Sequence, residues 1–304
     1  MIETQNLTKK YDNTTAVDNL TLNLKQGEVF GFLGPNGAGK TTTIRMLTCL
    51  ITKTSGTAKI CGYDIANPKE IPKIRRAIGL LPENVGLYED LSAYKNLDFY
   101  GKIYKLTEQQ RKERIERYLK MLGLWEKKDR PTGSFSKGMK QKLAIARALI
   151  HDPEVLFLDE PTANLDPEAS KTVREFILEL KAEKHTIFLN THLLDEAERM
   201  CDKIGILKTK LLAIDTPERL RQSASGTKTV IGLEAVNDSI VAAVKRSGSW
   251  KTEVAENKLV ISVGSPEKDN PEIVAAIGKA GGRIQSISQT EVSLEDIYLK
   301  LVRS

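Results

Sequence analysis

The sequence predicts an α/β protein: a mixed-sheet core with an antiparallel edge and a helical subdomain, followed by a small α+β domain. Three observations carry that prediction. A glycine-rich loop, residues 34–41, separates a short apolar strand candidate from a helix candidate. Val155-Leu156-Phe157-Leu158 is a continuous apolar run that ends in two acids, the pattern of a strand buried on both faces. From residue 227 the elements run strand, helix, strand, strand, helix, strand, the split βαβ order of ferredoxin-like domains.

In chain order, residues 2–7 and 17–24 predict the antiparallel edge that leads into a strand at 28–33. A helix is expected over 40–50, with Ile44, Met46, Leu47 and Leu50 as its apolar residues. Residues 57–61 and 77–81 are further strands. The texture then turns helical and defines a subdomain at about 84–150. Within it, 107–122 is highly charged yet spaces Ile115, Leu119 and Leu122 for one buried stripe. Apolar strands follow at 155–158, 186–189 and 204–207. The small, polar stretch 222–227 reads as a linker, which sets domains at 1–222 and 227–304. The second domain is expected to run strand 227–234, helix 239–247, two strands around Glu256-Asn257, helix 271–279, strand 283–288 and a helix from Ser293. It holds no His or Cys, so catalysis is expected in the first domain.

Composition narrows the function classes. The chain has 304 residues, 40% hydrophobic and 28% charged, and no run approaches the ~18 consecutive apolar residues a membrane helix needs. Its first residues lack a signal peptide's regions, so a cytoplasmic place is expected, peripheral at the inner face of the membrane through a partner. Cys49, Cys61 and Cys201 are far apart in sequence, form no CxxC, and read as reduced thiols. The net charge of +6 lies wholly in residues 1–225, because 226–304 carries ten basic and ten acidic side chains. So small and interspersed an excess suits a domain that handles a nucleotide; no nucleic-acid partner is expected.

Gly34-Pro35-Asn36-Gly37-Ala38-Gly39-Lys40-Thr41 fits the phosphate-binding loop: two glycines five positions apart, then Lys and Ser/Thr. Four specified positions match by chance in a chain of this length roughly one time in a hundred. A loop of small residues can wrap its N–H groups around phosphate oxygens, and the next helix adds the positive end of its dipole. Asn36, Gly37, Ala38, Gly39, Lys40, Thr41 and Thr42 are the expected phosphate contacts, with Lys40 reaching the β and γ phosphates and Thr41 ligating Mg²⁺. Hydrolysis also needs a carboxylate for the metal and a base for the water. Asp159 and Glu160, at the end of the apolar run, supply them in that order.

Phe135-Ser136-Lys137-Gly138-Met139-Lys140-Gln141 opens an apolar helical stretch and resembles the signature motif of ATP-binding cassette (ABC) ATPases. Ala163-Asn164-Leu165-Asp166 resembles the family's D-loop, and Thr191-His192 its switch histidine. Tyr11, with Val17 following, stands where the family stacks an aromatic ring on adenine. The resemblance spans residues 1 to about 220 and implies a P-loop NTPase cassette. It also implies a homodimer packed head to tail around two ATP, in which Ser136 and the Gly138 backbone meet the γ-phosphate held by the other copy's loop. His192 is then expected to contact that phosphate and Glu160, and Asp166 to communicate across the dimer. Three positions depart from the pattern: Glu83 stands where the family has its lid glutamine, able to face Mg²⁺, and Lys137 and Met139 replace the signature's first glycine and its glutamine.

A single cassette with a C-terminal domain ending in Ser293-Leu294-Glu295-Asp296-Ile297-Tyr298-Leu299 resembles the detached ATPase subunits of exporters that work with a separate ABC-2 type membrane permease. That implies an ATP-hydrolysing motor. Residues 84–100, with Leu87, Tyr88, Leu91, Tyr94 and Leu97, are then the expected docking groove for the permease; the bland reading makes these side chains the subdomain's core. The alternative function is a soluble ABC ATPase acting on nucleic acid or ribosomes. Such proteins insert a long coiled coil or carry two cassettes, and this chain has neither. For the C-terminal domain, dimer contact and binding of a small regulatory ligand are the two readings.

Overall fold

A computed structural model describes residues 1–223, 227–290 and 293–303, and divides the chain into two compact units, Met1–Pro217 and Glu218–Ser304. The middle of the expected linker, 224–226, lies outside the described residues.

The first unit opens with β1 (Ile2–Tyr11), β2 (Thr14–Leu24), β3 (Val29–Leu33), α1 (Lys40–Leu47), β4 (Ser55–Ile60), β5 (Tyr63–Asp64), α2 (Ile71–Ala77) and β6 (Ile78–Leu81). The helices α3 (Ala93–Ile103), α4 (Glu108–Met121) and α5 (Lys137–Leu149) follow. It continues with β7 (Val155–Asp159), α6 (Pro167–Ala182), β8 (Thr186–Asn190), α7 (Leu194–Met200), β9 (Lys203–Lys208) and β10 (Lys210–Asp215).

The six-stranded sheet has the order β10-β9-β3-β8-β7-β6 and is parallel except for β10. Strands β3, β7 and β8 are buried at every position, which is why they read as unbroken apolar runs. β1 and β2 do not extend this sheet. They expose polar residues along one side and pair with β4 and β5 in a separate four-stranded sheet, so the parallel sheet's antiparallel edge is β10. Side chains of that second sheet, of α1 and of the parallel sheet share one core, in which Phe30, Phe32, Phe157 and Phe188 meet at centroid distances from 5.3 to 5.8 Å. α1 stops at Leu47, short of the expected Leu50, because Cys49 takes a left-handed φ of 57°. α4 is the expected amphipathic helix: Ile115, Tyr118 and Leu119 are buried, and Thr107 with Gln110 forms a capping box.

The remaining elements are α8 (Pro217–Ser223), β11 (Thr227–Leu233), α9 (Asp238–Ser247), β12 (Lys251–Ala255), β13 (Lys258–Val263), α10 (Pro266–Lys279), β14 (Ile284–Thr290) and α11 (Leu294–Arg303). The strand order β12-β13-β11-β14, with every pair antiparallel, is the ferredoxin-like arrangement expected from the βαββαβ sequence. Ile231, Leu259 and Ile261 of the sheet form its core with Ile240 and Val244 of α9 and Ile273 and Ile277 of α10. α10 starts at Pro266, five residues before the expected Pro271. Prolines favour the first helical turn, so both read as starts; Asp269 settles it by accepting the N–H groups of Gly264 and Ser265.

Candidate active site

Ligands of open α/β sheets bind at the carboxyl ends of the strands, and there β3, β7 and β8 run in parallel register. Gly34 leaves β3 against the Leu207 carbonyl, where any Cβ would collide. Gly39, at φ 99°, would collide in the same way with the Ala16 carbonyl. The loop is therefore clamped at Gly34 and Gly39 by two backbones that leave no space for a side chain at those positions. No side chain caps α1, so the N–H groups of its first turn remain directed toward a ligand. Val17 is fully buried, and its Cγ2 lies 3.0 Å from where a Gly39 Cβ would stand; it backs the loop from below. Tyr11, at the end of β1, is 45% exposed, with the Lys9 ammonium 4.7 Å from its ring centroid.

Lys40 is buried, and its Nζ donates to the carbonyls of Gly34 at 2.6 Å and Pro35 at 3.2 Å. Burial lowers its pKa, opposed by the negative charges of Glu160 and Asp159. Asp159 ends β7 directly opposite Asn190 of β8 and accepts hydrogen bonds from the Asn190 amide and the Thr41 hydroxyl. Burial pushes its carboxyl pKa up against those hydrogen bonds, and the charges of Glu160 and Glu83 push the same way. Lys40, Thr41, Glu83, Asp159 and Glu160 thus act within one electrostatic field.

Glu160 has a φ of 52°, a left-handed conformation that non-glycine residues adopt seldom. Its N–H donates to the Asn190 carbonyl at 2.9 Å, which turns the chain out of β7. Its Oε2 lies 2.8 Å from Nδ1 of His192, so an imidazole protonated on Nδ1 donates to the carboxylate.

The donor set suits Mg²⁺. Hard oxygens come from Thr41 and Asp159 with Glu83 nearby, and the buried Asn190 Oδ1, beside Asp159, has no hydrogen-bond partner and can receive a metal-bound water. Among the described residues, no three His, Cys, Asp or Glu side chains form a protein-only cage. Mg²⁺ needs none, because it keeps waters and takes substrate phosphates as ligands.

Ser136 and Gly138 lie at a second place, the start of α5. Ser136 is its N-cap, accepting from the Met139 N–H at 3.3 Å. Gly138 packs so tightly on α6 that a Cβ would lie 2.9 Å from Ala169 Cβ. Asp166 caps α6, accepting from the Ala169 N–H at 2.8 Å.

Sequence reasoning missed two side chains that hold these parts. Gln141, buried on α5, donates through Nε2 to the Pro161 carbonyl at 3.1 Å, tying α5 to the turn after Glu160. Glu196 of α7, also buried, joins the Thr162 hydroxyl to Arg174 of α6. Asn190, also missed, carried a usable signal, a polar residue directly after the apolar strand expected at 186–189.

Residues 17–163 match the family model described as ABC transporter, and residues 216–302 match that of the C-terminal domain of DrrA1-3-like ATP-binding proteins. The chain is 36% identical over 308 residues to the linearmycin resistance ATP-binding protein LnrL of Bacillus subtilis (strain 168), across 99% of this chain and 98% of that protein. The chain belongs to the ABC ATPase family. This ABC ATPase is also 38% identical to the bacitracin transport ATP-binding protein BcrA of Bacillus licheniformis, over 99% of this chain and 97% of that one. Its fold matches the dimeric post-hydrolysis state of the ATP-binding cassette MJ0796 bound to ADP and Pi, with a TM-score of 0.65 and 28% identity over 71% of this chain and 98% of that one. An ATP-binding subunit of an ABC transporter superposes with a TM-score of 0.67 at 33% identity, over 73% of this chain and 92% of that one. The ABC ATPase described here binds and hydrolyses ATP.

Proposed function

We propose that this ABC ATPase is the motor subunit of an exporter: two copies close head to tail around two ATP and drive a separate ABC-2 type permease. The observation that carries the chemistry is the Glu160 carboxylate, held by His192 at 2.8 Å. Glu160 takes the proton from the attacking water, and His192 orients Glu160 and reaches the γ-phosphate. Lys40 leaves its loop carbonyls for the β and γ phosphates, with the N–H groups of residues 36–42 around them. Mg²⁺, held by Thr41 and Asp159 with Glu83 facing it, would neutralise charge on the phosphates. Tyr11 stacks on adenine, and Val17 supports the loop. Ser136 and the Gly138 N–H, at the positive end of α5, meet the γ-phosphate bound by the other copy. The partner copy thus completes each site, and hydrolysis opens the pair.

The export reading is supported by what the relatives are called, among them a Nod factor export ATP-binding protein of Cupriavidus metallidurans, 36% identical over 306 residues. A groove of about 360 Å³, lined by Leu50, Leu80, Pro82, Arg147 and His151 among others, meets the expected docking segment 84–100 only at Tyr100. Near it Tyr88 is 48% exposed and packs edge-on against Phe99 at 5.1 Å, while Leu97 is fully buried and belongs to the subdomain core. No helix among the described residues is long and apolar enough to cross a membrane. Tyr88→Asp removes an exposed ring and leaves the backbone held by Asn96 and Thr132. Co-purification of a permease from host membranes with the native chain, lost in Tyr88→Asp while basal ATPase persists, is the expected result. Recovery of ribosomal or DNA-binding proteins in place of a permease contradicts the reading.

A further inference from the structure

The sheet of the second unit has two outer strands that differ in their defences. β12 is five residues long and carries Lys251 and Glu253, paired at 2.9 Å. Charges of that kind keep an exposed edge from recruiting another strand. β14, seven residues reading Ile-Gln-Ser-Ile-Ser-Gln-Thr, has neither charge nor proline. Among the described residues it pairs only with β11, in unbroken register from Lys228↔Thr290 to Gly232↔Ser286. Residues 285–289 are all exposed, Ile287 by 47%. Among the described residues, one row of its backbone donors and acceptors is therefore open, on a strand that repels no neutral partner.

The same strand specifies the partner. Outward from Ile287 come Ser286 and Ser288, then Gln285 and Gln289, then the β-branched Ile284 and Thr290. Two such strands paired antiparallel about a two-fold axis through Ile287 set like residues opposite each other. Ile287 then covers Ile287, and each Gln285 amide meets a Gln289 amide, donor to acceptor. No like charges face each other, whereas an antiparallel β12 pair would have to accommodate two copies of Lys251 and Glu253.

We infer that β14 is a contact between two copies of this chain, joining their four-stranded sheets edge to edge through an antiparallel β14 pair centred on Ile287. A seven-residue pair covers less than the ~1,200 Å² of a stable interface. It works as a second contact in a molecule already paired through its cassettes, where tethering supplies a local concentration of about millimolar. In this the inference rests on the nucleotide-bound dimer proposed above.

Cysteine cross-linking of the full chain tests it. In the Glu160→Gln background with Mg²⁺-ATP, mild oxidation of Ile287→Cys is expected to move the band on a non-reducing gel from 33.8 kDa to twice that mass. Opposed residues of antiparallel strands have Cβ atoms about 4.5–5.5 Å apart, near enough for a disulfide after slight adjustment. Val254→Cys on β12, 52% exposed, gives the background. A mixture of Gln285→Cys and Gln289→Cys chains is expected to cross-link, and either alone is not. Cross-linking of Ile287→Cys no greater than that of Val254→Cys overturns the inference, as does self-linking of Gln285→Cys that equals the mixture. Light scattering before oxidation reads the cassette dimer separately. A dimer without the Ile287 cross-link removes only the β14 contact, whereas a monomer in Mg²⁺-ATP removes the dimer reading beneath it.

Discussion

His192 Nδ1 stands 2.8 Å from Glu160 Oε2, joining the residues that follow β8 to those that follow β7. The strand register beneath them already sets Asp159 opposite Asn190, and the left-handed Glu160 turns its carboxylate out of the sheet. One carboxylate oxygen is committed to the imidazole, which fixes the plane of the other.

His192→Ala frees that carboxylate without touching the phosphate loop. The expected loss in kcat is about 10²-fold, the lower end of what a positioned acid–base pair contributes. Thermal unfolding should be unchanged; an equal loss of stability would make His192 a fold contact.

Gln141→Leu cuts the tie between α5 and Pro161 and strands a buried carbonyl, which costs about 1–3 kcal/mol. Thermal unfolding should show the lower stability. ATPase activity should fall further than the stability loss explains, because the residue joins α5 to the turn beside Glu160. Gln141→Met, which keeps the length and loses the donor without adding a charge, separates packing from the hydrogen bond.

His151 stacks on Tyr104 at 3.7 Å, donates from Nε2 to the Ile78 carbonyl at 2.9 Å, and leaves Nδ1 buried without a partner. Burial pushes its pKa down to about 4. The folded state therefore holds fewer protons than the unfolded chain between about pH 6.5 and 4, and stability falls as pH drops through that window. A shift of that size corresponds to about 3 kcal/mol by pH 4. Denaturant titrations of the wild type and of His151→Phe should show the slope in the first and a flatter line in the second.

The parts of the site legible in the sequence are those where backbone geometry dictates residue type. Gly34 and Gly39 are required because carbonyls of Leu207 and Ala16 occupy the space of a Cβ. Asp159 and Glu160 stood out because charge after an unbroken apolar run has few structural uses. Gln141 acts through a contact that exists only once α5 lies beside residue 161, so no local pattern encodes it; Asn190 shows locally as a polar residue after an apolar strand, but its partner Asp159 appears only once β8 lies beside β7. The separate antiparallel sheet was hidden for the same reason: one-sided burial tells that β1 and β2 have a polar face, not which strands they join. Leu97 and Tyr88 share one apolar segment, and only the path of α3 decides that Leu97 enters the core and Tyr88 faces outward.

The most direct test of the account is ATP turnover and solution mass of Glu160→Gln with Mg²⁺-ATP, measured on one sample. The account predicts that ATP is bound and turnover falls by at least about 10²-fold, since a general base is lost. It also predicts a mass of twice 33.8 kDa, because unhydrolysed nucleotide keeps the two copies closed. Turnover at the wild-type rate would remove Glu160 as the base, and a monomer holding ATP would contradict the shared site.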